Sequence, residues 1–166
     1  MIKILGIDPG SQVTGFGLLS LHSGRVQVMT YGIIQLKKES ENFNERIHLL
    51  AQNLDILFSK YQPQIVSIEK IFLGKNPDSA FKLGHARGVC IQKAMENKAQ
   101  VFEYSTREVK KGITGSGGAD KHQVNEVLKH LLGLKTINYL DASDALALAF
   151  YHTSRVEINK KWQEMV

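Results

Sequence analysis

The stretch Lys3-Ile4-Leu5-Gly6-Ile7-Asp8-Pro9-Gly10-Ser11 constrains this chain most, because an apolar run carries one carboxylate to the point where proline and glycine break the strand. Asp8 therefore stands at a strand end and not inside a core. An unpaired carboxylate is costly to bury, so this acid is either turn chemistry in an Asp-Pro-Gly corner or a ligand. The stretch alone leaves both readings open.

Thr14 to Leu21 reads as a second strand, Ser23-Gly24 as a tight turn and Arg25 to Leu36 as a third strand, which makes an antiparallel meander. Gly15 and Gly17 mark a place where another backbone or a ligand approaches closely. Lys37 to Asn42 is a polar connection. Ile47, Leu50, Ala51, Leu54, Leu57 and Phe58 then recur at helical spacing, predicting an amphipathic helix to about Lys60. Gln64 to Glu69 is a short apolar strand that also ends in a carboxylate. A helical crossover returns the chain parallel to the first strand, so Asp8 and Glu69 are expected at the same edge of the sheet.

Asn76, Pro77 and Asp78 supply the cap, first-turn proline and dipole-matched acid of a helix reaching about Asn97. Along it Ala80, Gly84 and Gly88 form a stripe of small side chains, for close packing either on the chain's own sheet or on another subunit. Val101 to Tyr104 reads as a fifth strand, and Ser105 with Glu108 has capping-box spacing for a short helix ending near Gly112. The glycine-rich Gly115-Ser116-Gly117-Gly118 lacks the lysine-hydroxyl ending of a Walker loop and reads as a flexible, phosphate-tolerant loop. Val124, Val127, Leu128, Leu131 and Leu132 mark another helix, and Leu140 to about Ser154 a last one. The expected fold class is α/β, a mixed five-stranded sheet of a three-strand meander plus parallel strands, flanked by helices. The expected division is one domain over 1–154 and a tail over 155–166 without clear pattern.

At 166 residues and 43% hydrophobic, the chain suits a single globular domain. It has no apolar run of membrane-spanning length and no secretory leader pattern, which predicts a cytoplasmic protein without membrane contact. The single cysteine, Cys90, cannot close an internal disulfide and reads as a small buried hydrophobe. The net charge of +5 is localised: Lys70 to His122 holds ten basic and five acidic residues, and the remainder eleven of each. Such a zone is the footprint of a phosphate-rich partner such as nucleic acid, or a solvated face.

Asp141 and Asp144 lie three residues apart, hence on one helix face, in an otherwise apolar sequence. A helix N-terminus favours acids, which accounts for one of them easily and for both less well. If this helix crosses the sheet beside the first and fourth strands, Asp8, Glu69, Asp141 and Asp144 converge. Converging carboxylates repel unless divalent cations neutralise them, and hard oxygen donors select Mg2+ or Mn2+. The chemistry this predicts is two-metal phosphoryl transfer, with ions roughly 3.5–4 Å apart.

Several separate motifs, in order, resemble the RuvC family of bacterial Holliday-junction resolvases over about residues 1–153. They are Gly6-Ile7-Asp8-Pro9-Gly10-Ser11 with Thr14-Gly15-Phe16-Gly17; Ile68-Glu69 followed by Phe72, Lys75-Asn76, Asp78-Ser79-Ala80 and Gly84-His85-Ala86-Arg87-Gly88; and Asp141-Ala142-Ser143-Asp144-Ala145-Leu146-Ala147. The resemblance implies a ribonuclease-H-like fold, a homodimer, and Mg2+-dependent paired nicking of four-way DNA junctions. It also implies a branch-migration helicase complex, RuvA and RuvB, as partner. Asp8, Glu69, Asp141 and Asp144 match the family's acidic tetrad; its fourth position, histidine in some members, is Asp144 here. Lys110 and Lys121 match basic residues near the active site, and Phe72, with Lys75 nearby, matches a junction-engaging aromatic. The alternatives are a solvated lysine pair and a core phenylalanine.

Two other classes compete. An actin-like nucleotide-binding phosphotransferase shares a Gly-Ile-Asp-x-Gly-Ser hairpin, but normally needs a second similar half. A junction-binding module without catalysis shares the basic zone but has no use for four acids.

Overall fold

In the computed structural model, which describes residues 1–70 and 76–164 and the side chains as far as residue 156, the alternation of β1 (Ile2–Asp8) sets the layering. Leu5 and Ile7 point into one core and Ile4 into the other. β2 (Thr14–His22) and β3 (Arg25–Ile34) continue β1 as the antiparallel meander. β4 (Ile65–Glu69) lies parallel to β1, and β5 (Gln100–Tyr104) parallel to β4, in the order β3-β2-β1-β4-β5. This is the mixed five-stranded sheet that the sequence predicts.

Between β3 and β4 come α1 (Leu36–Glu39) and α2 (Phe43–Tyr61). After β4 follow α3 (Pro77–Glu96), then, beyond β5, α4 (Thr106–Thr114), α5 (Lys121–Leu132) and α6 (Leu140–Glu164). Leu50, Leu54 and Phe58 of α2 and Ala86, Cys90 and Ala94 of α3 cover one sheet face. Val109 and Ile113 of α4, Val124 and Leu128 of α5, and Leu146 of α6 cover the other.

The caps at Asn76 and Ser105 form as their spacing predicts, the second as a complete capping box with Glu108. Three boundaries differ from the sequence reading. β3 stops at Ile34 because Leu36 turns into the core, 1% exposed, and opens the single turn of α1. α2 starts earlier than its apolar spacing, at a cap whose Asn42 side chain accepts from Asn44 and Glu45. α6 does not stop near Ser154 but runs to Glu164. No helix among the described residues is long and apolar enough to cross a membrane.

The stripe on α3 does not pack on the chain's own sheet. Gly84 and Gly88 are exposed, and a Cβ on either meets nothing within 4 Å, while Ala86, Cys90 and Ala94 turn inward. The glycines that receive the backbone of α6 are Gly6, Gly15 and Gly17. A Cβ at Gly6 would overlap the carbonyl of Ala145, and one at Gly15 the carbonyl of Asp141. The close approach read from Gly15 and Gly17 is therefore that of α6 across the sheet.

His152 of α6 is 3% exposed; its Nδ1 shares a 2.7 Å hydrogen bond with the Tyr104 hydroxyl, and its Nε2 is buried without a partner among the described residues. Burial first, and the Arg155 cation second, lower its pKa from 6.5 to about 4. The folded chain therefore holds a neutral imidazole that the unfolded chain protonates more readily. Its contribution is complete above pH 6.5 and is lost as pH falls toward about 4. The melting temperature is expected to drop across that window, and His152→Gln to flatten this part of the fall, as scanning calorimetry against pH would measure.

Candidate active site

Strand pairing brings the first two acids together. Ile7 faces Ile68 in the parallel β1–β4 register, so the next residues, Asp8 and Glu69, leave the sheet side by side. The turn after Asp8 is closed by Thr14, whose Oγ1 accepts from Gly10 N at 3.2 Å and donates to Gly10 O at 3.0 Å. Arg46 of α2, 7% exposed, locks the same turn by donating from Nε to Ser11 O at 2.8 Å and from Nη1 to Glu41 O at 2.7 Å. The apolar spacing of α2 gave no sign of this buried arginine, because it falls within the inward face. Ser67 ties β4 to α6, donating to Leu148 O at 2.9 Å.

The third acid comes from α6. Asp8, Glu69 and Asp144 line one cavity of about 270 Å3 together with Thr106, Lys110 and Lys121, above Val109, Val124, Ala147 and Leu148. Asp141 does not line this cavity; it lies one turn earlier on α6, close enough for its charge to act on Asp8 and Lys121. The expectations for Phe72 and Lys75 fall on residues 71–75, outside the described residues.

Burial, and then the charges of Asp144, Glu69 and Asp141, push the Asp8 carboxyl up to about 8, against a smaller opposing effect of Lys121. Lys121, at the first position of α5 after the Asp120 cap, donates from Nζ to Asp144 at 2.7 Å. That hydrogen bond is the main reason its ammonium is held above the usual lysine value. Glu69 accepts a hydrogen bond from the Thr106 hydroxyl, and its backbone carbonyl accepts from Arg87 Nε at 3.1 Å. Thr106 was not singled out from the sequence, where the capping box places it at the first helical position but says nothing of what it faces.

Carboxylates crowded around Asp8 closely enough to push its carboxyl up are the donors a hard divalent cation neutralises best, so the residues present fit such an ion. As the side chains stand, no three of the described acids gather closely enough to hold one. In this arrangement Asp144 is engaged by Lys121 and Glu69 by Thr106.

Residues 4–152 match the family described as crossover junction endodeoxyribonuclease RuvC. A crossover junction endodeoxyribonuclease RuvC of Bdellovibrio bacteriovorus is 51% identical over 160 residues, 96% of this chain and 94% of that protein. One from Marinobacter nauticus is 41% identical over 152 residues, 92% of this chain and 86% of that protein. Among solved structures, T. thermophilus RuvC in complex with Holliday junction substrate matches at a TM-score of 0.84 and 22% identity, covering 95% of this chain and 96% of that one. That likeness shows a shared, ribonuclease-H-like fold.

Proposed function

The chain belongs to the RuvC family of crossover junction endodeoxyribonucleases, and on that premise we propose that it resolves four-way (Holliday) DNA junctions by paired, symmetrical, metal-dependent nicks in recombination and repair. The observation that carries this reading is the single cavity in which Asp8, Glu69 and Asp144 face Lys110 and Lys121. Acids suited to a cation and ammonium groups suited to phosphate share one small space, as phosphodiester hydrolysis requires.

Nucleases of this family are metal-dependent. In our reading Asp8, Glu69, Asp141 and Asp144 hold Mg2+, two ions per site, with Mn2+ as a substitute. A bound divalent cation supplies Lewis-acid polarisation of the phosphate and lowers the pKa of the attacking water. The chain's own residues do the rest. Lys110 and Lys121 hold non-bridging phosphate oxygens, and Lys121 reaches them by giving up its bond to Asp144. The apolar floor of Val109, Val124 and Leu148 lowers the local dielectric and strengthens these contacts. Phe72 stacks on a base unpaired at the crossover, with Lys75 on the adjacent backbone.

A homodimer follows from the need to cut two strands symmetrically. Its interface is placed on the outer face of α3, where Gly84 and Gly88 stand open beside Phe81, 70% exposed. The nuclease unit is assigned to 1–154 and the end of α6 to an appendage. The protein is placed in the cytoplasm, acting on junctions shared with a RuvA and RuvB branch-migration complex.

The actin-like phosphotransferase reading is not favoured. A synthetic four-way junction, incubated with the purified protein with and without Mg2+, separates the two. Symmetrical nicks that require metal are expected, whereas ATP hydrolysis without DNA cleavage would overturn the assignment.

A further inference from the structure

We propose that Thr106 is a positioning residue for Glu69, holding its carboxylate in the orientation in which it meets the cation; this rests on the functional reading above. The backbone of Glu69 is fixed on several sides. It pairs with Tyr104 across β4 and β5, the following Lys70 N donates to Tyr104 O at 2.9 Å, and Arg87 Nε donates to its carbonyl. Arg87 is itself held by an ion pair with Glu103. None of these contacts reaches the carboxylate, whose side-chain torsions strand pairing leaves free.

Thr106 supplies that restraint, donating from Oγ1 to Glu69 Oε1. Its own place is set by the capping box beside it. Ser105 N donates to Glu108 Oε2 at 2.9 Å, and Glu108 N to Ser105 Oγ at 3.3 Å, so the first turn of α4 is fixed against the end of β5. A β-branched threonine there has few rotamers, which makes its hydroxyl a directed donor. Donation to one oxygen leaves the carboxylate charged and its remaining lone pairs available. Donors of this kind orient metal-binding carboxylates and tune their affinity. The bond lies at the exposed side of the cavity, where a neutral hydroxyl adds little to stability. Its consequence is thus expected in metal binding and turnover, not in folding.

The test compares wild type with Thr106→Val, Thr106→Ala and Thr106→Ser. Four quantities are measured: Mn2+ affinity of the DNA-free protein by electron paramagnetic resonance, melting temperature, and kcat and KM on a four-way junction. Val and Ala are expected to weaken Mn2+ binding and lower kcat by about 10-fold, with KM and melting temperature near wild type, while Ser stays within about 2-fold. If Val binds Mn2+ as wild type does, or Ser is as impaired as Val, the inference fails while the nuclease reading stands. A melting-temperature loss common to all three variants marks a structural role and also overturns it. Wild-type protein that binds no Mn2+ and cuts no junction overturns both.

Discussion

Asparagine in place of Asp8 is expected to abolish junction cleavage, by about 10³-fold or more, while leaving junction binding in metal-free buffer close to wild type. The magnitude follows from losing several kcal/mol of metal-borne stabilisation of the transition state. Binding survives because Lys110 and Lys121 remain, and removing an acid does not weaken attraction for phosphate. A second consequence concerns stability. Burial and the charges of Asp144, Glu69 and Asp141 push Asp8 up to about 8, so this carboxylate is a local strain on the metal-free fold. Its neutral amide is expected to raise the melting temperature in chelator, and to reduce the further rise that Mg2+ gives wild type. The same loss of cleavage is expected for Glu69→Gln, Asp141→Asn and Asp144→Asn. Asp141→Asn is the most informative, since Asp141 acts on the cavity from outside its lining. Wild-type cleavage by Asp144→Asn would sink the proposed tetrad. Gel-shift and strand-cleavage assays on one junction provide both readouts.

The legible part of this site was the part that backbone geometry dictates. Asp8 and Glu69 each end an apolar strand, and a helical crossover leaves little choice but to set those strands parallel, as β1 and β4 are. Asp141 and Asp144 share a helix face by spacing alone, although only Asp144 reaches the cavity lining. What stayed hidden depends on which way a side chain turns. Nothing in the order of residues indicates that Lys121 pairs with Asp144, or that Thr106 turns to Glu69, because both contacts join elements far apart in the chain. Arg46 was hidden because a charged residue inside an apolar repeat reads as an interruption, whereas three backbone carbonyls satisfy it here. The continuation of α6 was hidden for another reason: the residues after Ser154 lose the alanine-leucine pattern while the helix persists. The small-residue stripe of α3 was legible as a feature but not in direction, because a sequence cannot say whether a helix turns its glycines to the sheet or away.

Alanine at Gly6 is expected to destabilise the chain by about 3 kcal/mol, the upper end of what one added core methyl usually costs. The reason lies in what the methyl would meet. It would overlap the carbonyl of Ala145 and come within 2.9 Å of Ala149 N, both backbone atoms of α6, so no side-chain rotation relieves it. The helix as a whole must lift from β1. Gly15, against the carbonyl of Asp141, and Gly17, where an added Cβ would lie 2.7 Å from Leu146 Cγ, hold the same helix against β2 and resist that movement. For a chain of this size the loss corresponds to a fall in melting temperature of about 6–12 °C. Because α6 carries Asp141 and Asp144, the displacement also moves them away from Asp8, and cleavage by the folded fraction is expected to fall with stability. Gly84→Ala provides the comparison, since on α3 the same methyl meets nothing within 4 Å. Measured at dilutions that favour the monomer, it is expected to stabilise by about 0.5–1 kcal/mol, through helix propensity alone. Calorimetry that finds Gly6→Ala as stable as wild type would show that α6 does not press on β1 as closely as Gly6 allows. The convergence of Asp144 with Asp8 and Glu69 would then need another explanation.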